Sequence, residues 1–123
     1  MKCRVLLVDD DLVIRRLVRD VLEDAGYEVD EAEDAMKALV MIEQHQPDLA
    51  IMDLFMPGMD GQEAAASWRS HPKASRVPII LMSSAPGADK RAVQMKARGF
   101  LAKPFDILDL VRAVASGVSS DAA

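Results

Sequence analysis

The chain has 123 residues, of which half are hydrophobic and only 4% aromatic, and it carries a formal net charge of −5. This length and composition favour a single domain with an aliphatic core, while the negative charge disfavours direct binding to nucleic acid or to an anionic membrane surface. Cys3 is the one cysteine, which excludes an internal disulfide framework. The sequence has no apolar run of about 20 residues, so we exclude a membrane span. It also shows no secretory signal, and we therefore expect a cytoplasmic location.

The first half of the chain alternates short apolar runs with amphipathic segments. Residues 4–8 form a continuous apolar run, as in a strand that is covered on both faces. Residues 12–26 follow with apolar positions at helical spacing and with Gly26 at the place of a C-terminal cap. The same alternation predicts strands at 27–32 and 48–54 and helices at 34–45 and 61–70.

The second half repeats this alternation. It predicts strands at 77–83 and 99–103 and helices at 88–98 and 107–117. Five strand–helix units with short connections indicate an α/β fold in which a parallel sheet has helices on both faces. We assign residues 1–117 to this domain, and we assign residues 118–123, which are mostly small and polar, to a flexible C-terminal tail or the start of a linker.

Aspartates stand at the ends of two predicted strands. Asp9 and Asp10 follow the first strand, and Asp53 falls near the end of the third. The carboxyl ends of parallel strands share one edge of the sheet, and ligands bind there. Carboxylates about 4 Å apart repel one another by roughly 1–4 kcal/mol per pair, which a Mg²⁺ ion with oxygen ligands would offset. The alternative, an aspartate that only caps a helix, is favoured for Asp11.

Two further polar residues end strands at the same predicted edge. Lys103 ends the fifth strand, where its ammonium group can neutralise a carboxylate or a phosphoryl group, and the following Pro104 admits a cis peptide bond. Ser83 ends the fourth strand, where its hydroxyl can donate to a phosphoryl oxygen. A solvated lysine and a turn-forming serine are the alternatives.

Four segments together carry a family resemblance. The segments "LLVDDD", "DLAIMDLFMPGMDG", "VPIILMSSA" and "GFLAKPF", in this order and at this spacing, resemble the receiver domain of bacterial two-component response regulators, of which the chemotaxis regulator is one. The resemblance covers nearly the whole chain. It implies a flavodoxin-like (βα)₅ fold, a three-layer sandwich whose parallel five-stranded sheet has the order 2-1-3-4-5.

The resemblance also implies roles for individual residues. Asp53 would be the phosphoacceptor, Ser83 the switch hydroxyl, Lys103 the phosphate-contacting lysine and Phe100 the aromatic residue that changes rotamer. Magnesium, with manganese as an alternative, would be held by Asp9, Asp10, Asp53 and the backbone carbonyl of Phe55.

The implied activity is signalling by phosphoryl transfer. A sensor histidine kinase or a histidine phosphotransfer protein would phosphorylate the domain, and the domain would catalyse only its own phosphorylation and dephosphorylation. The output partner is not indicated by the sequence, and a phosphorylation-dependent dimer stays open. The arginines of the first helix, Arg15, Arg16 and Arg19, are either solvated or contact the kinase.

Some positions depart from the family pattern. Ser83 replaces the more frequent threonine but keeps the hydroxyl, and Phe100 lacks the phenol hydroxyl of the common tyrosine, so a switch must act through packing. The spacing between Ser83 and Lys103 predicts a short fourth helix or a short loop before it. Bulky Phe55 and small Ala85 have opposite expected effects on how fast water reaches an acyl phosphate.

Three other functions fit parts of the sequence. An aspartate-nucleophile phosphatase also uses Mg²⁺ and carboxylates at strand ends, but no insertion supplies a cap. A flavin-binding module would need phosphate-binding donors where the chain has "DDD". A receiver that binds partners constitutively would leave the crowded carboxylates unexplained.

Several conspicuous residues have structural interpretations. We expect Trp68 and five methionines to fill the core, namely Met36, Met41, Met52, Met82 and Met95. We expect Asp60 to cap the third helix in a capping box with Glu63.

Overall fold

The computed structural model describes residues 2–53 and 61–119. In these ranges strands and helices alternate, as the sequence predicts. The elements are β1 Arg4–Val8, α1 Leu12–Asp24, β2 Glu28–Ala32, α2 Ala35–Gln44, β3 Leu49–Met52, α3 Gly61–Ser70, β4 Ile79–Ser83, α4 Ala88–Gln94, β5 Gly99–Ala102 and α5 Ile107–Ser119, with a 3₁₀ helix at Ala74–Arg76 before β4.

The five strands form one parallel sheet in the order β2-β1-β3-β4-β5. Strand β1 lies between β2 and β3, so the chain reverses its direction across the sheet at the β1–β3 pair, which is where ligands bind in folds of this kind. The strand order confirms the predicted flavodoxin-like (βα)₅ architecture.

Helices cover both faces of the sheet. On one face, Val18 and Leu22 of α1 and Leu110 of α5 pack against inward-facing strand residues. On the other face, Ile42 of α2 and Trp68 of α3 belong to a second core cluster. Strands buried on both faces need apolar residues at every position rather than in alternation, which explains the continuous apolar runs of β1, β3 and β4.

Aspartate side chains cap the N-termini of helices α1 and α2. Asp11 is the N-cap of α1 and accepts hydrogen bonds from the amides of Val13 and Ile14. Asp34 caps α2 by accepting a hydrogen bond from the amide of Lys37. These bonds satisfy amides that have no partner within the helix. The capping interpretation of Asp11 therefore agrees with the structure, whereas Asp60 lies outside the described residues.

Helix α4 is shorter than the prediction of 88–98, because it ends at Gln94. Lys96 adopts a left-handed backbone conformation with a φ of 58°. The amides of Lys96 and Ala97 bond back to carbonyls of the last helical turn, and this closure ends the helix early. The prediction of a short fourth helix agrees with these bounds.

Two other predictions differ from the structure. Met36 is 69% exposed, because the buried side of α2 is formed by Ala35, Ala38 and Ile42, so the core assignment of Met36 is wrong. Helix α5 continues to Ser119, two residues beyond its predicted end at 117, and residues 120–123 lie outside the described residues. Among the helices that the structure describes, none is both long and apolar enough to cross a bilayer.

Candidate functional site

The carboxyl edge of the sheet gathers most of the predicted site residues. In the strand register Val8 of β1 pairs with Met52 of β3, so Asp9 and Asp53, which follow them, leave the sheet side by side. The amide of Asp53 also donates to the carbonyl of Val8 over 3.0 Å. The backbone alone thus brings two acidic residues that are distant in the sequence to the same edge.

Lys103 joins these two carboxylates. Its Nζ donates to Oδ2 of Asp9 over 2.8 Å and to Oδ2 of Asp53 over 2.9 Å. Asp9 is fully buried and Asp53 is 6% exposed, and buried carboxylates of this kind need a paired cation. Burial by itself lowers the pKa of Lys103, but the hydrogen bonds that it donates to both aspartates outweigh this effect and raise that pKa above its usual value. The ammonium group therefore stays charged at neutral pH.

Strand β5 positions the backbone of Lys103. Its amide donates to the carbonyl of Ser83 over 2.9 Å, which continues the β4–β5 ladder. The peptide bond between Lys103 and Pro104 is cis. As noted from the sequence, a proline at this position is compatible with a cis bond.

A network of hydrogen bonds fixes the turn after β1. Oδ1 of Asp9 accepts from the amide of Asp11 over 2.9 Å, and the guanidinium of Arg15 donates to the carbonyl of Asp9 over 2.7 Å. Arg15 also pairs with Glu31 of β2, which in turn pairs with Arg19. Arg15 and Arg19 thus point inward to Glu31. The sequence did not reveal this role of Arg15, because the partner Glu31 is sixteen positions away and meets it only in the fold.

Asp10 lies at the exposed mouth of the site. Partial desolvation, together with the charge of the neighbouring Asp9, raises the pKa of Asp10 above its usual value. Part of this shift comes from the negative charges of Asp9 and Asp53, so negative charge is crowded at Asp10. A cation bound beside Asp10 would relieve this crowding.

The described acidic residues have the ligand type that a hard divalent cation prefers, but they do not form a complete coordination site. In residues 2–53 and 61–119, no group of three or more His, Cys, Asp and Glu side chains is arranged to hold a metal ion. The ammonium group of Lys103 instead pairs with two of the predicted metal ligands, Asp9 and Asp53. Phe55, whose carbonyl is the fourth predicted ligand, lies outside the described residues. Carboxylate oxygens are nevertheless the donors that Mg²⁺ prefers, so Asp9, Asp10 and Asp53 fit the ion chemically.

Ser83 and Phe100 occupy neighbouring strands. Ser83 is 2% exposed, and its Oγ accepts a hydrogen bond from the amide of Ala85 over 2.9 Å. This contact uses a lone pair and not the hydroxyl proton, which can therefore be donated elsewhere. Phe100 is partly buried and packs against the core cluster that contains Ala92 and Met95 at the end of α4.

An apolar surface borders the same edge. The first turns of α1 and α5 carry exposed aliphatic residues, and both helices lie on one face of the sheet and begin at its carboxyl edge. These residues, which we call the rim patch, are Leu12, Val13, Ile107 and Leu108. Each is at least half exposed, and exposed apolar surface beside a polar site is typical of a contact with another protein.

Comparisons with known proteins agree with this geometry. The family model for the response regulator receiver domain matches residues 5–115. The transcriptional regulatory protein PdtaR of Mycobacterium tuberculosis is 40% identical over 119 residues, which cover 94% of this chain and 57% of that protein. The chain thus spans about half the length of this relative and of other curated transcriptional regulators that it matches.

Two solved structures resemble the fold over nearly its full length. Chemotaxis protein CheY4 of Vibrio cholerae has a TM-score of 0.84 and 32% identity, and the match covers 95% of this chain and 99% of that one. The receiver domain of sensor histidine kinase PA1611 from Pseudomonas aeruginosa has a TM-score of 0.83 and 28% identity, with coverages of 96% and 98%. That structure has a magnesium ion coordinated in the active site cleft.

Proposed function

The chain belongs to the response regulator receiver family, and from this premise we propose that Asp53 accepts a phosphoryl group from a phosphohistidine. The donor would be a sensor histidine kinase or a histidine phosphotransfer protein. The observation that carries the proposal is the pair of hydrogen bonds from Lys103 to Asp9 and Asp53. An ammonium group that is hydrogen-bonded to a nearly buried carboxylate is positioned to stabilise negative charge on a phosphoryl group that is transferred to that carboxylate.

The reaction is an in-line displacement at phosphorus. A carboxylate oxygen of Asp53 forms the new P–O bond, and the P–N bond of the phosphohistidine breaks with its electron pair staying on the imidazole nitrogen. Lys103 transfers its hydrogen bond from Asp53 to a phosphoryl oxygen, while its bond to Asp9 keeps the ammonium in place. Asp9, held by the amide of Asp11, does not move. The product is an acyl phosphate on Asp53.

The divalent ion belongs to the same proposal. Asp9, Asp10 and Asp53, together with the Phe55 carbonyl, would hold Mg²⁺, or Mn²⁺ in its place. When bound, the ion supplies positive charge that offsets the charge of the phosphoryl oxygens. The likeness to the PA1611 receiver, whose cleft contains magnesium, and the crowded charge at Asp10 support this assignment.

Phosphorylation would shift the protein between two conformations. The Ser83 hydroxyl, whose proton is available, would donate to a phosphoryl oxygen, and Phe100 would move with β4 and β5 toward the core. This movement changes the surface formed by α4, β5 and α5, where an output partner or a second receiver would bind.

The rim patch provides the contact for the phosphodonor. Leu12 and Val13 on α1 and Ile107 and Leu108 on α5 present apolar surface at the edge where Asp53 lies. A helical phosphodonor domain that covers this surface would bring its phosphohistidine to Asp53. Arg16 is the arginine of α1 that stays exposed for such a contact, since Arg15 and Arg19 pair with Glu31.

The decisive experiment is intact-protein mass spectrometry after incubation with acetyl phosphate. We expect wild type to gain one phosphoryl group in the presence of Mg²⁺ and none in its absence. Asp53→Asn should gain none, because an amide is not a nucleophile toward phosphorus.

Asp20→Asn is the matched control, because Asp20 is an exposed aspartate on α1 and should leave the modification unchanged. An adduct that persists in Asp53→Asn would move the phosphoacceptor to another residue. If wild type gains nothing, even from a phosphohistidine donor with rapid quenching, the protein is not a phosphoacceptor.

A further inference from the structure

A pocket lies at the edge of the sheet opposite Asp53. It has a volume of about 390 Å³ and is formed where α3 and α4 end and where β4 and β5 begin. This volume falls in the range of about 300–1,000 Å³ that is typical of small-molecule sites. Among the described residues, none that lines the pocket also lies at the carboxyl edge of the sheet.

The pocket is positively charged, although the chain as a whole is acidic. Within the described part of the chain its wall contains four cationic side chains and no acidic one, namely Arg69, Arg76, Lys96 and Arg98. Arg98 donates to the carbonyl of Gly117 over 2.8 Å. The other three are exposed, and none has an ion-pair partner among residues 2–53 and 61–119. Three unneutralised cations facing one cavity attract a multiply charged anion.

The inner wall of the pocket is apolar. Val77, Ile79 and Met95 line it, and each is less than 10% exposed. Trp68 lines it as well, at 1% exposure, and its indole N–H has no hydrogen-bond partner among the described residues. A buried donor without a partner costs free energy. An acceptor atom on a bound ligand would satisfy this donor if it reached the indole nitrogen.

From these features we propose that the pocket binds a small phosphorylated molecule, with its phosphate among Arg69, Arg76 and Lys96 and its apolar part against Met95. A phosphate group suits the cations better than a carboxylate does, because it carries up to two charges and three terminal oxygens and can pair with several arginine forks at once. The apolar wall requires a second, uncharged part of the ligand. This binding is independent of Asp53.

Isothermal titration calorimetry in Mg²⁺-free buffer tests the proposal, with adenosine 5′-monophosphate as the probe and adenosine and inorganic phosphate as its two halves. We expect the nucleotide to bind more tightly than either half, and its affinity to fall as salt is added. Trp68 is the single tryptophan of the chain, so its fluorescence should change over the same concentration range.

Variants locate the binding. We expect Arg76→Gln and Lys96→Asn to weaken the affinity roughly tenfold each through the loss of charge-assisted hydrogen bonds. Asparagine is chosen because it tolerates the left-handed backbone at position 96. The control Arg16→Gln removes an equal charge on α1, away from the pocket, and should bind like wild type.

Thermal unfolding of each variant separates binding from stability, because cations near helix ends also stabilise the fold. The proposal is wrong if the nucleotide binds no more tightly than inorganic phosphate. It is also wrong if the two pocket variants keep wild-type affinity, or if Arg16→Gln loses as much as they do.

Discussion

At the level of single residues, the site depends on the ammonium group of Lys103, which pairs with two carboxylates. Lys103 contacts a fully buried carboxylate, Asp9, and a nearly buried one, Asp53. Its side chain is itself only 18% exposed, so water screens these contacts weakly. Removing one partner from such a group leaves an uncompensated buried charge, and that costs more than the contact itself contributes.

We therefore expect Lys103→Met, which keeps the length of the side chain but removes its charge, to lower the free energy of unfolding by about 3 kcal/mol in Mg²⁺-free buffer. Urea unfolding measures the change. Adding Mg²⁺ should restore part of it if Asp9 and Asp53 contribute to the metal site.

Lys90→Met is the control for this substitution, because Lys90 is exposed on α4 and should change stability little. Equal unfolding midpoints for the two variants would mean that the ammonium group of Lys103 does not hold the buried carboxylates together.

At the level of elements, one glutamate joins β2 to α1. Glu31 accepts from Arg15 over 3.1 Å and from Arg19 over 2.7 Å, and its side chain is 15% exposed. Burial acts to raise the pKa of Glu31, but the hydrogen bonds from Arg19 and Arg15 outweigh it, so this pKa is lowered. Because Arg15 also holds the carbonyl of Asp9, the same link supports the turn that carries the acidic pair.

The direction of this shift predicts how stability depends on pH. A carboxyl group with a lower pKa in the folded state stabilises the fold above its unfolded pKa of about 4.3, and this contribution is lost as the pH falls through the folded value. We expect Glu31→Gln to cost about 2 kcal/mol at neutral pH. The difference from wild type should shrink toward zero as the pH falls below the folded pKa.

Urea unfolding of both proteins across this pH range measures the effect. Asp20→Asn, which removes an exposed carboxylate from α1, should give a curve parallel to that of wild type. A difference for Glu31→Gln that stays constant from neutral to acidic pH would show that the charge of Glu31 is not what stabilises the link.

At the level of the whole molecule, the C-terminal end of helix α5 lies very close to the sheet. A Cβ atom added at Gly117 would lie 3.0 Å from Cδ1 of Leu49 and 3.4 Å from Cδ1 of Ile80. Both neighbours are fully buried, so they have little room to move. Gly117 is therefore needed for the close packing of helix against sheet and not for a turn.

We expect Gly117→Val to lower the free energy of unfolding by roughly 2 kcal/mol through overpacking, with the cluster of Asp9, Asp53 and Lys103 left intact. Ala115→Val places the same side chain on the exposed side of α5 and should cost only its helix propensity. Thermal unfolding compares the two. If Gly117→Val is as stable as Ala115→Val, the packing at this position is looser than the distances indicate.

The sequence by itself determined the order of elements and predicted which residues end at the carboxyl edge of the sheet. Continuous apolar runs mark strands that helices cover on both faces, and the alternation with short connections is compatible with few topologies. Because parallel strands end at one edge, the positions of Asp9, Asp53, Ser83 and Lys103 at strand ends were enough to predict that they lie together. Local rules also identified Asp11 as a helix cap.

Only the tertiary structure decided which groups pair with one another. That Lys103 bonds to both Asp9 and Asp53, and that Arg15 turns inward to Glu31, depends on contacts between residues 16 to 94 positions apart. The exposure of Met36 and the charged pocket beside Trp68 likewise follow from which helix side meets the sheet. Local propensity cannot determine these features, because their free energies arise between elements and not within them.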